Sequence, residues 1–314
     1  MNEVGMGINI TLPLVVLAMK LEPEFLRLFL LAILVNITLA VTVFQMRTLF
    51  CVAVVPIYMT SMMLAASMKH HLFLAMAVLV IAIYKVAVPM SACLHRYSAH
   101  AAFKCGPCTR FAMGFIASSA SQGGPIWWAS QHRMHHKFCD GPRDPHSCSI
   151  DGTENAFAFF MTHNTVEEEF APKHMEDKYM RILDTWSFLV SLIEMTLAYV
   201  AYGREGLFVS YTSSWICQTI TLWFNVCNHP PNLPKKCKAV NSRAKPNLYY
   251  PPFWFLDLLY PLFGAIVQEE NHADHHDHST LAKRCWWDVA YWGFIKPLEI
   301  AGLVWDVKVF DKEE

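Results

Sequence analysis

Charged side chains are scarce in this chain. Asp, Glu, Lys and Arg make up only 16% of its 314 residues and hydrophobic residues 54%, against roughly 25% charged residues in a soluble domain. That shortage excludes an ordinary soluble domain and points to a membrane protein. The charge that exists sums to −1, and no basic tract carries interleaved aromatics, which removes the electrostatic basis for a nucleic-acid partner. A repeating cysteine framework is also missing. The ten cysteines are scattered and read as mostly reduced thiols, not as a disulfide scaffold. Nor is there a secretory signal, since the early apolar run Ile8–Met19 lacks a basic start and a small-residue cleavage site.

Long apolar runs are what the chain does have. A bilayer core takes about 20 mostly apolar residues per helix, and Phe25–Phe44, Phe50–Met68 and Leu72–Leu94 each meet that length, with Ile8–Met19 left as an interfacial segment or a tight extra pass. Trp186–Tyr202 and Leu207–Phe224 follow, separated by the turn Gly-Arg-Glu-Gly at 203–206. Phe111–Trp128, interrupted by Gly114, Gly123, Gly124 and Pro125, reads as interfacial. Beyond Phe224 the chain is polar, Pro-rich and aromatic, with no further span. Short turns put both polar segments on one side, and Arg96, Lys104, Arg110, Arg133, Lys137 and Arg143 mark that side as cytoplasmic. The expectation is an all-α integral membrane protein. One or two extra hydrophobic segments occupy residues 1–48, and a single domain, 49–314, carries four core transmembrane helices at about 50–68, 72–94, 186–202 and 207–224. A cytosolic histidine-rich cap is built from 95–185 and 225–314.

Fifteen histidines are the compositional anomaly. His95 and His100 stand five residues apart in HRYSAH; His132, His135 and His136 form QHRMHH; His272, His275 and His276 form NHADHH; His229 follows the last span. The two triplets have spacing i, i+3, i+4, which puts three imidazoles on one helical face, and neutral imidazole is the commonest protein metal ligand. Five residues of straight α-helix turn through about 500°. The helix therefore ends between His95 and His100, or the two serve different metals, and they are not expected to share a face. Nine nitrogens exceed the four of tetrahedral zinc; two iron sites of four or five imidazoles would each keep a position open for oxygen or water. His70, His71, His163 and His174 read as solvated loop side chains, while His146 and His278 lie near the clusters but outside the spacing.

With these motifs in hand, the chain resembles the membrane fatty acyl desaturases, in particular the delta-9 acyl-CoA and acyl-lipid branch. The resemblance covers about residues 70–285 and rests on HRYSAH at 95, GGPIWWASQHRMHHKFCDGPRDPHS at 123–147, NVCNH at 225 and EENHADHH at 269. It implies that the nine histidines hold two non-heme irons, with O2 as co-substrate, and that Asn225 reaches a metal through water. It further implies that Trp127 and Trp128 stand near the substrate channel and that Asp140, Asp144 and Glu269 support the boxes or line the channel. The implied reaction is oxygen-dependent introduction of a cis double bond into a fatty acyl chain carried on CoA or a lipid. Electrons are expected from a separate protein, cytochrome b5 with its reductase or ferredoxin, since no heme-binding His-Pro-Gly-Gly is present. The implied location is the endoplasmic reticulum membrane, with a bacterial inner membrane or a plastid membrane as alternatives.

Two departures from the family bear on the carrier. Ser130 and Gln131 replace the basic and acidic pair that often precedes the second box, and SCSIDGTENAFAFF, followed by Glu167-Glu168-Glu169, replaces a basic, aromatic stretch. Phosphates of CoA call for Arg or Lys, which leaves a lipid-linked chain as a live substrate. The same scaffold also suits a lipid hydroxylase or acetylenase. A histidine-rich metal transporter would put ionisable ligands inside the spans, where only a few such residues, among them Lys85 and Glu194, occur. Finally, Cys105-Gly106-Pro107-Cys108 has the spacing of a thiol redox motif, but it follows an apolar helix, with no βαβ unit, and reads as a turn out of the first box.

Overall fold

The computed structural model describes residues 69–157, 163, 165–231, 233, 236–241, 254–268 and 271–309. Ile8–Met19, Phe25–Phe44 and Phe50–Met68, expected above as hydrophobic segments, lie outside the described residues, as does Glu269. What is described is mostly helical, with two two-residue strands.

A continuous rod, α1, runs His71–Ala99 and is long and apolar enough to cross a membrane. It buries Leu74, Val78, Ala82 and Lys85 along one stripe, while Leu72, Phe73, Met76, Val80 and Tyr84 are exposed. Apolar residues on both faces fit a helix that crosses a membrane, by length and composition. Over Val86–Ala99 the winding widens to π-type turns around Pro89, a residue with no N–H to give to a tighter ladder.

Strand β1, Lys104–Cys105, pairs antiparallel with β2, Val304–Trp305, and so ties the exit of the first box to the far end of the chain. Gly106 caps helix α2, Pro107–Ser118, with Pro107 in its first turn. Cys105 and Cys108 are both free thiols, and Cys105 Sγ donates to Tyr97 Oη at 3.1 Å. The CGPC segment is a helix start, as its Gly-Pro pair implies. Exposed Phe111 and Phe115 lie on α2.

Helix α3, Pro125–Phe138, carries the second box. Its cap residue is Gly124, which has no side chain to satisfy the first free N–H groups. Asp184 does so from a distance: its Oδ1 accepts from Ile126 N at 2.7 Å and Trp127 N at 2.9 Å. A Cβ on Gly124 would stand 2.2 Å from that oxygen, so glycine is required for the approach. Asp184 lies on α5, Lys178–Thr185, after the short helix α4, Gly152–Phe157.

Helix α6, Phe188–Cys227, is interrupted at Gly203, whose φ of 62° and ψ of −142° are not helical. Ser210 Oγ donates to Glu194 Oε1 at 3.3 Å, across a separation that a straight helix would stretch to about 24 Å. Met195 also packs with Tyr211 and Trp215. The chain therefore reverses at the Gly-Arg-Glu-Gly turn, and 188–202 and 204–227 form a helical hairpin. The second arm ends at Asn228 and delivers His229. Lys85 Nζ reaches from α1 to Glu194 Oε2 at 2.6 Å and to Ser119 O at 2.9 Å, so these two intramembrane candidates are one ion pair.

One apolar element went unexpected in the segment read as polar: α7, Trp254–Val267, at 14 residues too short to cross a bilayer. Its Pro261 and the proline-rich flank before it disguise the helix in the sequence. Helix α8, His272–Asp277, carries the third box. A π-type turn, Tyr291–Ile295, and α9, Lys296–Ile300, complete the cap.

Candidate metal centre

The nine patterned histidines converge, and they divide into two groups. His95, His100, His132, His136 and His275 each offer a ring nitrogen, all within 4.8 Å of one another. His135, His229 and His276 form the second set on the same criterion. His272 joins it, with Nε2 2.8 Å from His229 Nε2 and 3.2 Å from His276 Nε2.

The division cuts across both triplets. In α3, positions i and i+4 (His132, His136) serve the five-histidine group and i+3 (His135) serves the other. In α8, i and i+4 (His272, His276) serve the four-histidine group and i+3 (His275) serves the first. Each short helix thus straddles both positions in opposite senses, which one shared helical face does not disclose.

His95 and His100 overturn the expectation that they do not share a face. His100 N donates to His95 O at 3.2 Å, the i to i+5 bond of a π-type turn. That winding brings i and i+5 into register, and the two rings lie 4.9 Å apart in one group. The helix also ends at His100, where Ala101 takes φ 49°.

Do these residues fit a metal? Facing Nε2 pairs are 2.9 Å (His95, His275), 3.0 Å (His100, His132) and 3.1 Å (His132, His136) apart. With metal–nitrogen bonds of about 2.1 Å, neighbouring ligands are about 3.0 Å apart in an octahedron and about 3.4 Å apart in a tetrahedron. The spacing fits six-coordinate geometry with positions to spare. His135 Nε2 is buried with no hydrogen-bond partner among the described residues, as a nitrogen kept for a metal would be.

The outer ring nitrogens are held as well. Asp144 accepts from His135 Nδ1 with both oxygens at 2.9 Å, and Asp140 Oδ2 accepts from His229 Nδ1 at 3.0 Å. Each fixes the tautomer that leaves Nε2 free. The chain turns sharply at Asp140, φ 57°, so that Asp144 also accepts from Asp140 N at 2.7 Å and His146 N at 3.1 Å. Burial alone would push the Asp140 carboxyl up, but hydrogen bonds from His229, Lys238 and Ser147 hold it below the usual carboxylate range. On the other group, Arg284 Nη2 donates to His275 Nδ1 at 2.7 Å, a contact with no signal in the spacing. Asp144→Asn is expected to weaken metal retention about 10–100-fold, the usual cost of removing an outer partner, measured as metal per chain after dialysis against a chelator.

Trp128 stacks on His132 with centroids 4.8 Å apart and donates from Nε1 to Gln122 Oε1 at 3.1 Å. Trp127 is buried and donates to His163 O at 2.7 Å. Asn225 lines a cavity of about 20 Å³ with Gln122, Trp128, His132, His146, Thr221 and Leu222, room for one water. His146, set outside the spacing, is buried and stacks on His135 at 4.0 Å; the DPH sequence beside Asp144 was the signal for it. His278, His70 and His71 are exposed. His174, read as solvated, instead donates from Nε2 to Tyr97 O at 3.0 Å and is half-buried. The thiol reading needs one correction: Cys139 and Cys237 are disulfide-bonded across a separation of 98 residues, a pairing that only the fold brings about. The seven other described cysteines are free.

The cluster sets a pH dependence. Burial, then neighbouring imidazoles, push His136 down to about 3, and burial pushes His146 down to about 4. Folded values below the unfolded value of about 6.5 mean that the unfolded chain binds protons more readily. The stability they contribute is present above about pH 6.5 and is lost as pH falls toward the folded values. Thermal unfolding of metal-free protein in detergent is expected to shift to lower temperature between pH 7 and pH 5.

Nine imidazoles in two groups on an apolar helical frame define a buried candidate for a dinuclear metal site. No protein-family profile matches the chain, but known proteins do. It is 27% identical to an acyl-CoA C20 Delta5-desaturase of Anemone leveillei over 226 residues, 68% of this chain and 67% of that one. It is 27% identical to a hex-5-enoyl-[acyl-carrier protein] acetylenase of Moorena producens over 71% of this chain and 73% of that one. It is 29% identical to delta-9 acyl-lipid desaturase 1 of Arabidopsis thaliana over 68% of this chain and 69% of that one. The chain is thus similar to acyl-CoA and acyl-lipid desaturases, which are oxidoreductases.

Proposed function

We propose that the protein is a membrane desaturase that introduces a cis double bond into a fatty acyl chain, delta-9-like in position, at two irons held by the nine histidines. The observation that supports it most is the division into five and four imidazoles, each set converging through Nε2 at octahedral spacing. Breaking an unactivated C–H bond is beyond acid–base side chains, and two bound irons with O2 supply the oxidising chemistry that the task needs. The residues do the rest. Asp140 and Asp144 keep His229 and His135 in the ligating tautomer. Burial keeps the imidazoles neutral and ready to ligate. Trp128, stacked on His132, forms a flat apolar wall against which one methylene pair is held. Asn225 lines the one-water cavity beside His132 and would reach a metal through that water.

The carrier reading favours a lipid-linked chain. Ser130 and Gln131 are buried; Ser130 Oγ accepts from Glu167 N at 3.1 Å, and Gln131 Nε2 donates to Thr165 O at 3.0 Å. Both side chains are committed to a loop and are not free for a phosphate. Arg181 and Arg143 are engaged by Glu168 and Glu169. In this reading electrons arrive from a separate protein, cytochrome b5 or ferredoxin, on a cytosolic face, with the helices in the endoplasmic reticulum membrane. The acetylenase relative gives the second reading, a further oxidation on the same scaffold. Expression in a desaturase-deficient cell, with lipid mass spectrometry and iron analysis of purified protein, tests both. A new monounsaturated chain and two irons per chain are expected. A hydroxylated or acetylenic product would replace desaturation with the neighbouring chemistry, and iron-free protein would overturn the whole reading.

A further inference from the structure

A strap of chain, residues 236–241, crosses the outside of the four-histidine group and is sewn to Asp140, Ser149, Asn228 and Asp274. Lys238 N donates to Asp140 Oδ2 at 2.7 Å, and Lys238 Nζ donates to Ser149 Oγ. Val240 N donates to Asn228 O at 3.0 Å, next to His229. Asn241 Nδ2 donates to Asp274 Oδ1 at 3.0 Å, and its Oδ1 accepts from Asp274 N at 3.1 Å, inside the third box. One covalent bond, Cys139–Cys237, joins the strap to the end of the second box. Its sulfurs lie against the outer nitrogens of two candidate ligands: Cys139 Sγ is 3.9 Å from His229 Nδ1, and Cys237 Sγ is 3.9 Å from His276 Nδ1. Cys139 converges with the four-histidine set and is not among the five-histidine one.

We propose that Cys139 and Cys237 are positioning residues of the four-histidine metal position, and that their disulfide is a clasp whose reduction loosens that position alone. The inference rests on the reading that this group holds a metal. The step balances with a dithiol reductant. Two electrons and two protons pass to the S–S bond, which becomes two thiols, and the reductant leaves as its own disulfide. Once open, the strap is held by hydrogen bonds only, and the restraint it places on Asp140, Asn228 and Asp274 relaxes with it. A cytosolic cap would be exposed to such dithiols, so metal occupancy would follow the thiol poise.

The test uses full-length protein purified in detergent without reductant, compared before and after dithiothreitol under anaerobic conditions. Hydrogen exchange of 236–241 reports the clasp whether or not metal is bound, and a ferrous chelator reports metal release. Reduction is expected to speed exchange in the strap and to release one of two irons about tenfold faster, with the other retained, and re-oxidation is expected to reverse both. Cys139→Ser/Cys237→Ser should behave as reduced protein and ignore dithiothreitol, whereas Cys108→Ser should behave as the parent. Unchanged exchange in the reduced wild type would overturn the clasp. Faster exchange with unchanged release, or equal loss of both irons, would overturn its role at the four-histidine position. A chain without metal in either state would instead sink the diiron reading, with strap exchange still deciding the clasp.

Discussion

A chain carrying His272→Ala is expected to remain folded, to hold about one metal where the parent holds two, and to lose at least about a thousandfold in turnover. His272 is the candidate ligand whose removal should cost most, because its Nε2 stands 2.8 Å from that of His229 and 3.2 Å from that of His276. Its position has four imidazoles, so the loss leaves three, where the other position would keep four of five. Loss of a ligand exceeds the 10–100-fold typical of an outer partner such as Asp144. Metal analysis and product analysis on the same preparation check it, with His278→Ala, an exposed neighbour, expected to match the parent. Cys105→Ser is likewise expected to retain iron, since Cys105 touches Tyr97 and no box histidine.

The largest effect on stability is expected at Asp288. Arg96 follows the first candidate ligand, His95, and is fully buried; Asp288 is fully buried too, and Arg96 Nη1 donates to its Oδ2 at 2.7 Å and to Ala282 O at 2.6 Å. Asp288 further accepts from Arg284 N and Tyr291 N, both at 3.0 Å. The pair therefore locks the first box to the segment that follows the third. Asp288→Ala strands a buried guanidinium and is expected to destabilise the protein by about 3–5 kcal/mol. Replacing both partners by apolar residues, Arg96→Met with Asp288→Leu, removes the stranded charge. The double variant should recover all but the three hydrogen bonds to backbone groups, at Ala282 O, Arg284 N and Tyr291 N, about 1 kcal/mol each. Thermal unfolding of the two variants beside the parent measures both figures, and equal destabilisation in single and double variants would contradict the argument.

Much of the site was legible because it is written in local spacing. The i, i+3, i+4 triplets sit on short helices as expected, and His229 follows the second arm of α6 as its place after an apolar run implies. What was not legible depends on winding or on distance along the chain. The five residues between His95 and His100 mislead anyone who assumes 3.6 residues per turn, and nothing in HRYSAH announces a π-type turn. The partition of each triplet between two positions follows from how α3 and α8 cross. Arg284 on His275, Asp184 at the start of α3, and Cys237 on Cys139 are all joined by tertiary structure alone. Apolar patterning found α1 and the hairpin in α6, but it missed α7, because a proline and a polar flank hide a helix shorter than a bilayer is thick.

With α1 and α6 in a membrane, as in the proposed function, the ion pair between Lys85 and Glu194 would impose an order on biogenesis. Its members are 109 residues apart, so α1 leaves the ribosome long before its counter-charge exists. An unpartnered lysine inside an apolar helix costs about 2.5–3.5 kcal/mol on entering a bilayer. Until the first arm of α6 arrives, the Lys85 ammonium has only Ser119 O to donate to, and α1 would enter reluctantly or tilt to bring that ammonium to water. Completing the hairpin then neutralises it and fixes α1 in depth, and with it the depth of the two histidines at its end.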